Sequence, residues 1–540
     1  MEKRFTSGFY RILAAVIGGL CLLLFVFGLF FTIVYRQYEE NDLPELVRTS
    51  PILAVLSLIA ALGILWGILR LADPYLKNRS PRFFGSWRIL IPGPGFAVFS
   101  VLLIGFCAFL IAVIRGLPTN DAGMLHEITQ QFLRGDYSDI DRGYLVYCPH
   151  QLSYCLLSGW IMRLSGEQNM TAFQVCNAVS IWFTMFFLYE ITWELFEDLR
   201  VLAFWNLIGT GFLALYVYVT YIYNDIWSMG PLFGALYFWI LFLKRNRPGP
   251  AVPAVLLASL SFFIKTNGLI ALIAMGMTGV FLLPGRLKEK KYREAAVIVA
   301  AVLGLVFLPL LSQKALNGYY EAVSGYRVAA GEPGAAYIAM GLEETGTGLY
   351  GWYNGENRRL LTEAELDSDR AAVLAWDRIG ERCRLFAAHP GYTVRFFGWK
   401  YLSQWGDPTK GSLREQELTG RHQEGLRPAL ADDLTFGTGY HIMQGVMHLF
   451  HLLLCYFSIH GMLSLIRGRR RLAGEAGLLL LFIFGGMLFH EIWEAAARYA
   501  LRYEAAFLPF AAAGAADHLM RIRIGQKGIG KHEEQKTDRA

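Results

Sequence analysis

Four short polar stretches interrupt an otherwise apolar chain, and each carries side chains able to do chemistry. The first is Thr119-Asn120-Asp121, followed by His126 and Glu127. An acidic residue just past an apolar run can act as general base toward a hydroxyl, and Asn or Asp there also suits the N-cap of a helix over 122–133. The second runs from Gly135-Asp136-Tyr137 to Tyr144 and on through Tyr147-Cys148-Pro149-His150-Gln151. Tyr147, His150 and Gln151 can bond to and stack on a hydroxyl-rich ligand; aromatic residues at headgroup depth also serve as interfacial anchors. The third pairs Asp225, in Tyr223-Asn224-Asp225, with Lys265, in Lys265-Thr266-Asn267-Gly268. A lysine recessed at membrane depth suits a phosphate or another anion, and an Asp–Lys ion pair holding helices together is the plainer alternative.

The fourth is His490-Glu491-Ile492-Trp493-Glu494 with Arg498-Tyr499. A zinc-protease motif would need a second His where Glu494 stands. Glu494 and Arg498 are spaced for an i,i+4 pair on one helix, while Arg498 at a helix end can also receive a lipid phosphate. Two further stretches are decoys. Gly525 to Lys531 approaches a P-loop, but His532 replaces the Ser or Thr and no strand precedes it. Asn169-Met170-Thr171 is a glycosylation sequon.

The elements that must position these residues are membrane helices. The 540 residues are 54% hydrophobic and only 17% charged, where a soluble domain carries about a quarter charged residues. Mean hydropathy is +0.36, and the apolar excess falls in runs of bilayer length. A soluble enzyme is excluded, and an all-α polytopic membrane protein of about 12 spans is expected. The runs lie at 12–34, 51–72, 95–116, 172–195, 201–222, 227–243, 251–264, 267–284, 294–312, 441–466, 474–490 and 499–519. The run 251–284 as one helix would reach roughly 51 Å against a core of about 30 Å. Pro253 and the polar Lys265 to Gly268 therefore divide it into two short helices with a recessed apex.

The net charge of +6 is concentrated at Lys3-Arg4, Lys77 to Arg88, Lys244-Arg245-Arg247, Lys288 to Arg293, Arg467 to Arg471 and the tail from Arg521. This is the positive-inside pattern and not a nucleic-acid surface. It places both termini in the cytoplasm of a multi-pass protein of the cell membrane. All four polar stretches then face outward, provided that 150–164 lies on the outer surface and does not cross. Seven scattered Cys imply no disulfide framework; Cys148 and Cys155 on one helix would stand roughly 10 Å apart. The expected organisation is two N-terminal spans (1–94), a core (95–312) with a first outer loop at 117–171, and an outer domain (313–440). C-terminal spans (441–519) and a cytoplasmic basic tail (520–540) complete it. Within the outer domain, Glu363 to Arg384 reads as an amphipathic helix.

Taken together these residues resemble the GT-C superfamily of polytopic glycosyltransferases, in particular bacterial members similar to protein O-mannosyltransferases and aminoarabinose transferases. The resemblance runs from about 95 to 519. It rests on Asp121, on Gly135-Asp136 with Tyr144-Leu145, Tyr147 and Pro149-His150-Gln151, on Lys265 to Gly268, on Trp405-Gly-Asp-Pro-Thr, and on Glu494 with Arg498-Tyr499. It implies a GT-C-like core with a small extracytoplasmic domain, and an inverting transfer of sugar from a polyprenyl-phosphate donor. The acceptor would be an envelope glycan, lipid or protein. By position Asp121 is similar to the general base. Lys265, Arg498 and Tyr499 suit the donor phosphate, and Asp225, Tyr147, His150, Gln151 and Glu494 suit substrate contacts. Asp121 is followed by Ala122, where mannosyltransferases carry Asp-Glu. Some relatives use a divalent metal such as Mg or Mn, and this chain has no compact ligand cluster in sequence. A lipid-linked-sugar flippase or secondary transporter, with Asp225 and Lys265 as its coupling site, is the rival reading. A non-catalytic envelope scaffold is the third.

Overall fold

The computed structural model describes residues 2–38, 41–77, 93–245, 248–345, 349–421, 428–470 and 474–518. The basic segment around 78–92 and the P-loop-like tail at 525–531 lie outside these residues. Among the described residues nine helices are long and apolar enough to cross a membrane. They are Thr6–Phe30, Pro51–Ile68, Pro94–Val113, Met170–Phe196, Asn224–Arg245, Thr266–Lys288, Tyr292–Ser324, Thr438–Ile466 and Gly474–Ile492. The remaining three expected runs are helical with breaks or shorter. Leu199–Thr210 and Leu213–Thr220 meet at 51°, and Ala251–Ile264 is short. The last run is two pieces, Ala497–Ala505 and 508–518.

Burial orders the bundle. The apolar window of Asn224–Arg245 is 83% buried and that of Pro51–Ile68 only 11%, so the first is the axis and the second is perimeter. Where the last helix meets Thr438–Ile466, glycines permit backbone contact. A Cβ on Gly461 would stand 2.2 Å from Phe510 O, and one on Gly514 would stand 2.0 Å from Phe457 O. Small residues at such crossings replace the hydrophobic drive that lipid removes.

Several boundaries differ from the sequence expectation for local physical reasons. The first helix stops at Phe30, not 34, because Thr32-Ile33-Val34 is a β-branched run. Phe31–Tyr38 pairs antiparallel with Asn41–Arg48, so the protein is helical with one small hairpin. The hairpin's Tyr35 donates to Ser403 O at 2.6 Å and packs on Trp352, which ties the N-terminal helices to segment 313–440. Tyr292–Ser324 runs twelve residues past the expected end at 312, about 50 Å of helix in all. The amphipathic helix expected from Glu363 is instead Ser368–Ala388. Glu365 and Leu366 adopt positive φ, and Asp367 caps the new start by accepting from Asp369 N and Arg370 N.

Segment 313–440 forms a helical cap over the bundle, with a small core of Ala336, Ala339, Leu342, Leu360, Ala375 and Ile379. Two buried lysines fasten it. Lys400 Nζ donates to Glu491 O (3.0 Å), Trp493 O (2.8 Å) and Gly341 O, satisfying carbonyls at the end of Gly474–Ile492. Lys410 Nζ donates to Trp405 O and Asp407 O and lies 3.2 Å from Glu504, which His451 bonds at 3.0 Å. The Trp405-Gly-Asp-Pro-Thr stretch is thus a buried turn, closed by Thr409 N and Gly411 N on the Asp407 carboxylate.

Candidate functional site

The end of the bundle beneath the cap gathers most of the residues singled out from sequence. Tyr223-Asn224-Asp225 forms the turn entering the central helix, and Lys265 caps the broken pair Ala251–Ile264 and Leu269–Lys288. Asn224 Nδ2 donates to Ile264 O at 2.8 Å and so joins the two turns. Gln151 Nε2 donates to Tyr223 OH at 2.7 Å and Gln151 Oε1 accepts from Asn224 Nδ2 at 3.3 Å, which locks the first loop onto them. Lys265 Nζ lies 3.3 Å from Asp225, 3.2 Å from Asn224 Oδ1 and 4.1 Å from the centre of the Tyr223 ring.

Arg502 reaches the same Asp225 carboxylate at 3.3 Å, and its Nη1 is buried without a partner. Arg498 donates to Tyr221 OH at 3.2 Å and stands 3.6 Å from Glu415, which Arg414 also pairs at 2.9 Å. Among the described residues Lys265 and Arg502 stand on Asp225, and Arg414 and Arg498 on Glu415. The surplus of positive charge in a desolvated place is what an anion complements. The Asp–Lys pair weighed from sequence is real, and it is one edge of this larger cluster.

Glu494 and Arg498 do not make the i,i+4 pair, because the helix Gly474–Ile492 ends before Glu494 and the next begins at Ala497. Tyr499 stacks on His490, ring centres 5.2 Å apart. Burial, reinforced by the charge of Asp121 and opposed by Arg498, pushes the Glu494 carboxyl up to about 7. His150 is held down to about 4 by burial and by the charge of Lys265, so a neutral imidazole faces the cluster.

Asp121 sits in the first turn of Asn120–Leu133, entered through the extended Thr119. Thr119 holds the N-cap position and no side chain makes the cap bond, so capping does not account for Asp121. Its carboxylate is exposed and makes no hydrogen bond or ion pair among the described residues. Its charge bears on Tyr144, Tyr223, Glu332 and Glu494. Tyr147 has Arg358 4.7 Å over its ring. His126 is turned away, buried against Phe173.

Arg502, Arg414, Glu415, Glu332 and Arg358 were not singled out from sequence. Arg502 had a signal, four residues beyond Arg498 on one helix face; the others come from the cap and carry none. Among the described residues no group of three or more His, Cys, Asp or Glu is placed to hold a metal. The described cysteines are free.

An apolar groove of about 440 Å³ opens beside the cluster, lined by Val175, Val179, Phe183, Trp227 and Leu257 among others. Trp227, on the groove wall, lies on the same short helix as Asp225.

Bundle and buried charges define a polytopic integral membrane protein with a capped polar site at one end. Residues 9–517 match the model of a family described as conserved hypothetical integral membrane protein, and the chain belongs to that family. Among solved structures it is similar to ArnT from Cupriavidus metallidurans bound to undecaprenyl phosphate. Identity is 14%, coverage is 79% of this chain and 78% of that one, and the TM-score is 0.29. No curated protein matches.

Proposed function

We propose that this protein is a glycosyltransferase of GT-C type that moves a sugar from a polyprenyl-phosphate donor to a cell-envelope acceptor. The observation that supports it most is an exposed, unpartnered Asp121 facing a buried cluster with surplus positive charge. A general base and an anion-stabilising seat are the two things an inverting transfer from a phosphate needs.

In this reading the donor's lipid tail lies along the groove at Trp227, and its phosphate is held by Lys265 and Arg498, with Tyr499 beside them. Asp121 takes the proton from an acceptor hydroxyl. The freed oxygen attacks the anomeric carbon from the face opposite the phosphate, the carbon–oxygen bond to phosphate breaks, and the lipid phosphate leaves. Lys265 and Arg498 stabilise the charge it gains. Asp225 holds Lys265 and Glu415 holds Arg498 between turnovers, while Gln151, His150, Tyr147 and Glu494 border the sugar. The distribution of basic clusters supports an extracytoplasmic site in this reading.

The test is donor cleavage in proteoliposomes with a panel of radiolabelled polyprenyl-phosphate sugars and an envelope acceptor fraction, beside Asp121→Asn. Loss of label from lipid that needs Asp121 is the expected result, and cleavage that survives the substitution refutes the base assignment. Label that crosses the bilayer uncleaved selects the flippase reading, in which the Asp225–Lys265 pair is the coupling site.

A further inference from the structure

The cap and the first loop enclose a second polar site, on the Asp121 side and away from the cation cluster. Gly331 adopts φ +76, and a Cβ there would lie 2.8 Å from Tyr147 O, so only glycine lets the cap approach this closely. Glu332 N then donates to Tyr147 O at 2.9 Å, which seals cap to loop. The Glu332 side chain is 1% exposed. One of its oxygens accepts from Asn357 Nδ2 at 2.7 Å; the other, Oε1, has no hydrogen-bond partner and lies 3.8 Å from Arg358 Nε, also unpartnered. Asn357 Oδ1 is a third buried orphan.

Buried polar atoms are nearly always satisfied, and leaving one unmade costs about 1–3 kcal/mol. Three orphans on adjacent side chains mark a place where a ligand supplies the missing bonds. The walls state its chemistry. Arg358 lies over the rings of Tyr147 (4.7 Å) and Tyr144 (5.7 Å), so a carboxylate, an amide and a guanidinium face aromatic surface. Polar groups able to bridge neighbouring hydroxyls, beside rings on which C–H faces can lie, suit a pyranose and not an acyl chain. The exposed Asp121 carboxylate bears electrostatically on Glu332, Tyr144 and Tyr353 alike.

We infer that the pocket formed by Glu332, Asn357, Arg358 and Tyr147 is the acceptor subsite and that the acceptor hydroxyl belongs to a carbohydrate. The inference rests on the transferase reading for the word acceptor; the carbohydrate site stands without it.

Saturation-transfer NMR on the full chain in detergent tests it, with methyl α-D-mannopyranoside, methyl β-D-galactopyranoside and N-acetyl-threonine amide as probes. Ring protons of at least one glycoside are expected to receive saturation. That transfer should fall at least tenfold in Glu332→Gln and in Arg358→Gln, and persist in Glu365→Gln, a cap residue 85% exposed. Arg358 is 40% exposed, so its substitution keeps the test alive if Glu332→Gln fails to fold. Saturation of the threonine probe alone, of no probe, or of glycosides equally in both pocket variants overturns the inference. Glycoside binding without donor cleavage would refute the transferase and leave the pocket standing. Donor cleavage without glycoside binding would do the reverse.

Discussion

Asp225→Asn separates the stability of the charge cluster from its use. The carboxylate lies 3.3 Å from both Lys265 and Arg502, with the three side chains 11% exposed or less. Removing one partner of a buried pair costs about 3–5 kcal/mol, because the stranded cation stays desolvated. Lys265 and Arg502 meet different oxygens of Asp225, so Asn can accept from only one of them and turns its NH2 toward the other cation; the upper end, about 5 kcal/mol, is expected. The same change removes a negative charge that repels an anion beside Lys265 and Arg498. At roughly 7 Å and an effective dielectric of about 20 that repulsion is about 2.4 kcal/mol, on the order of 50-fold in affinity. The variant should therefore melt several degrees below wild type, yet be raised further by a lipid phosphate. Thermal unfolding in detergent with farnesyl phosphate, and farnesol as the uncharged control, reads both effects. An unchanged midpoint without ligand would refute the burial argument. A farnesyl phosphate shift no larger than in wild type would refute the placement of the anion.

Asp121→Asn should lower transfer by about 10²–10⁴-fold, the usual worth of a general base, with the unfolding midpoint unchanged because the exposed side chain makes no bond; a coincident fall in midpoint would contradict the second half. Arg498→Ala should raise the donor KM by about 10–150-fold, from a charge-assisted bond of about 1.5–3 kcal/mol, and leave acceptor KM near wild type. Glu494 gives a pH signature. Its folded carboxyl titrates near 7 and an unfolded one near 4.3. Between about pH 4.5 and 7 the unfolded chain has lost that proton while the folded chain keeps it, so stability falls as pH rises through the window and levels above it. In Glu494→Gln that slope should shrink, which denaturation midpoints from pH 4.5 to 8 would show.

Spans were legible because lipid leaves only a few solutions: length, hydropathy and a polar break at Lys265 decide where helices run. The same logic foresaw Asp225 opposite Lys265, since two short turns at one end of a bundle must meet. Local competition was harder to read. Thr32-Ile33-Val34 continues an apolar run yet makes a strand, and Asp367 outcompetes Glu363 as a helix start. The cap residues Glu332, Arg358 and Glu415 were beyond reach, because their partners stand far off in sequence and follow no period. Only the docking of the cap brings them to Tyr147 and Arg498.

Lys400 has a consequence for traffic. A single buried ammonium holds three carbonyls from the cap and from the end of a spanning helix, and releasing it would strand a charge in a dry place. The roof is therefore riveted, not hinged. If the donor is a polyprenyl phosphate, as proposed, a fixed roof would leave entry from the side, and its occupancy would then follow its surface density among neighbouring lipids.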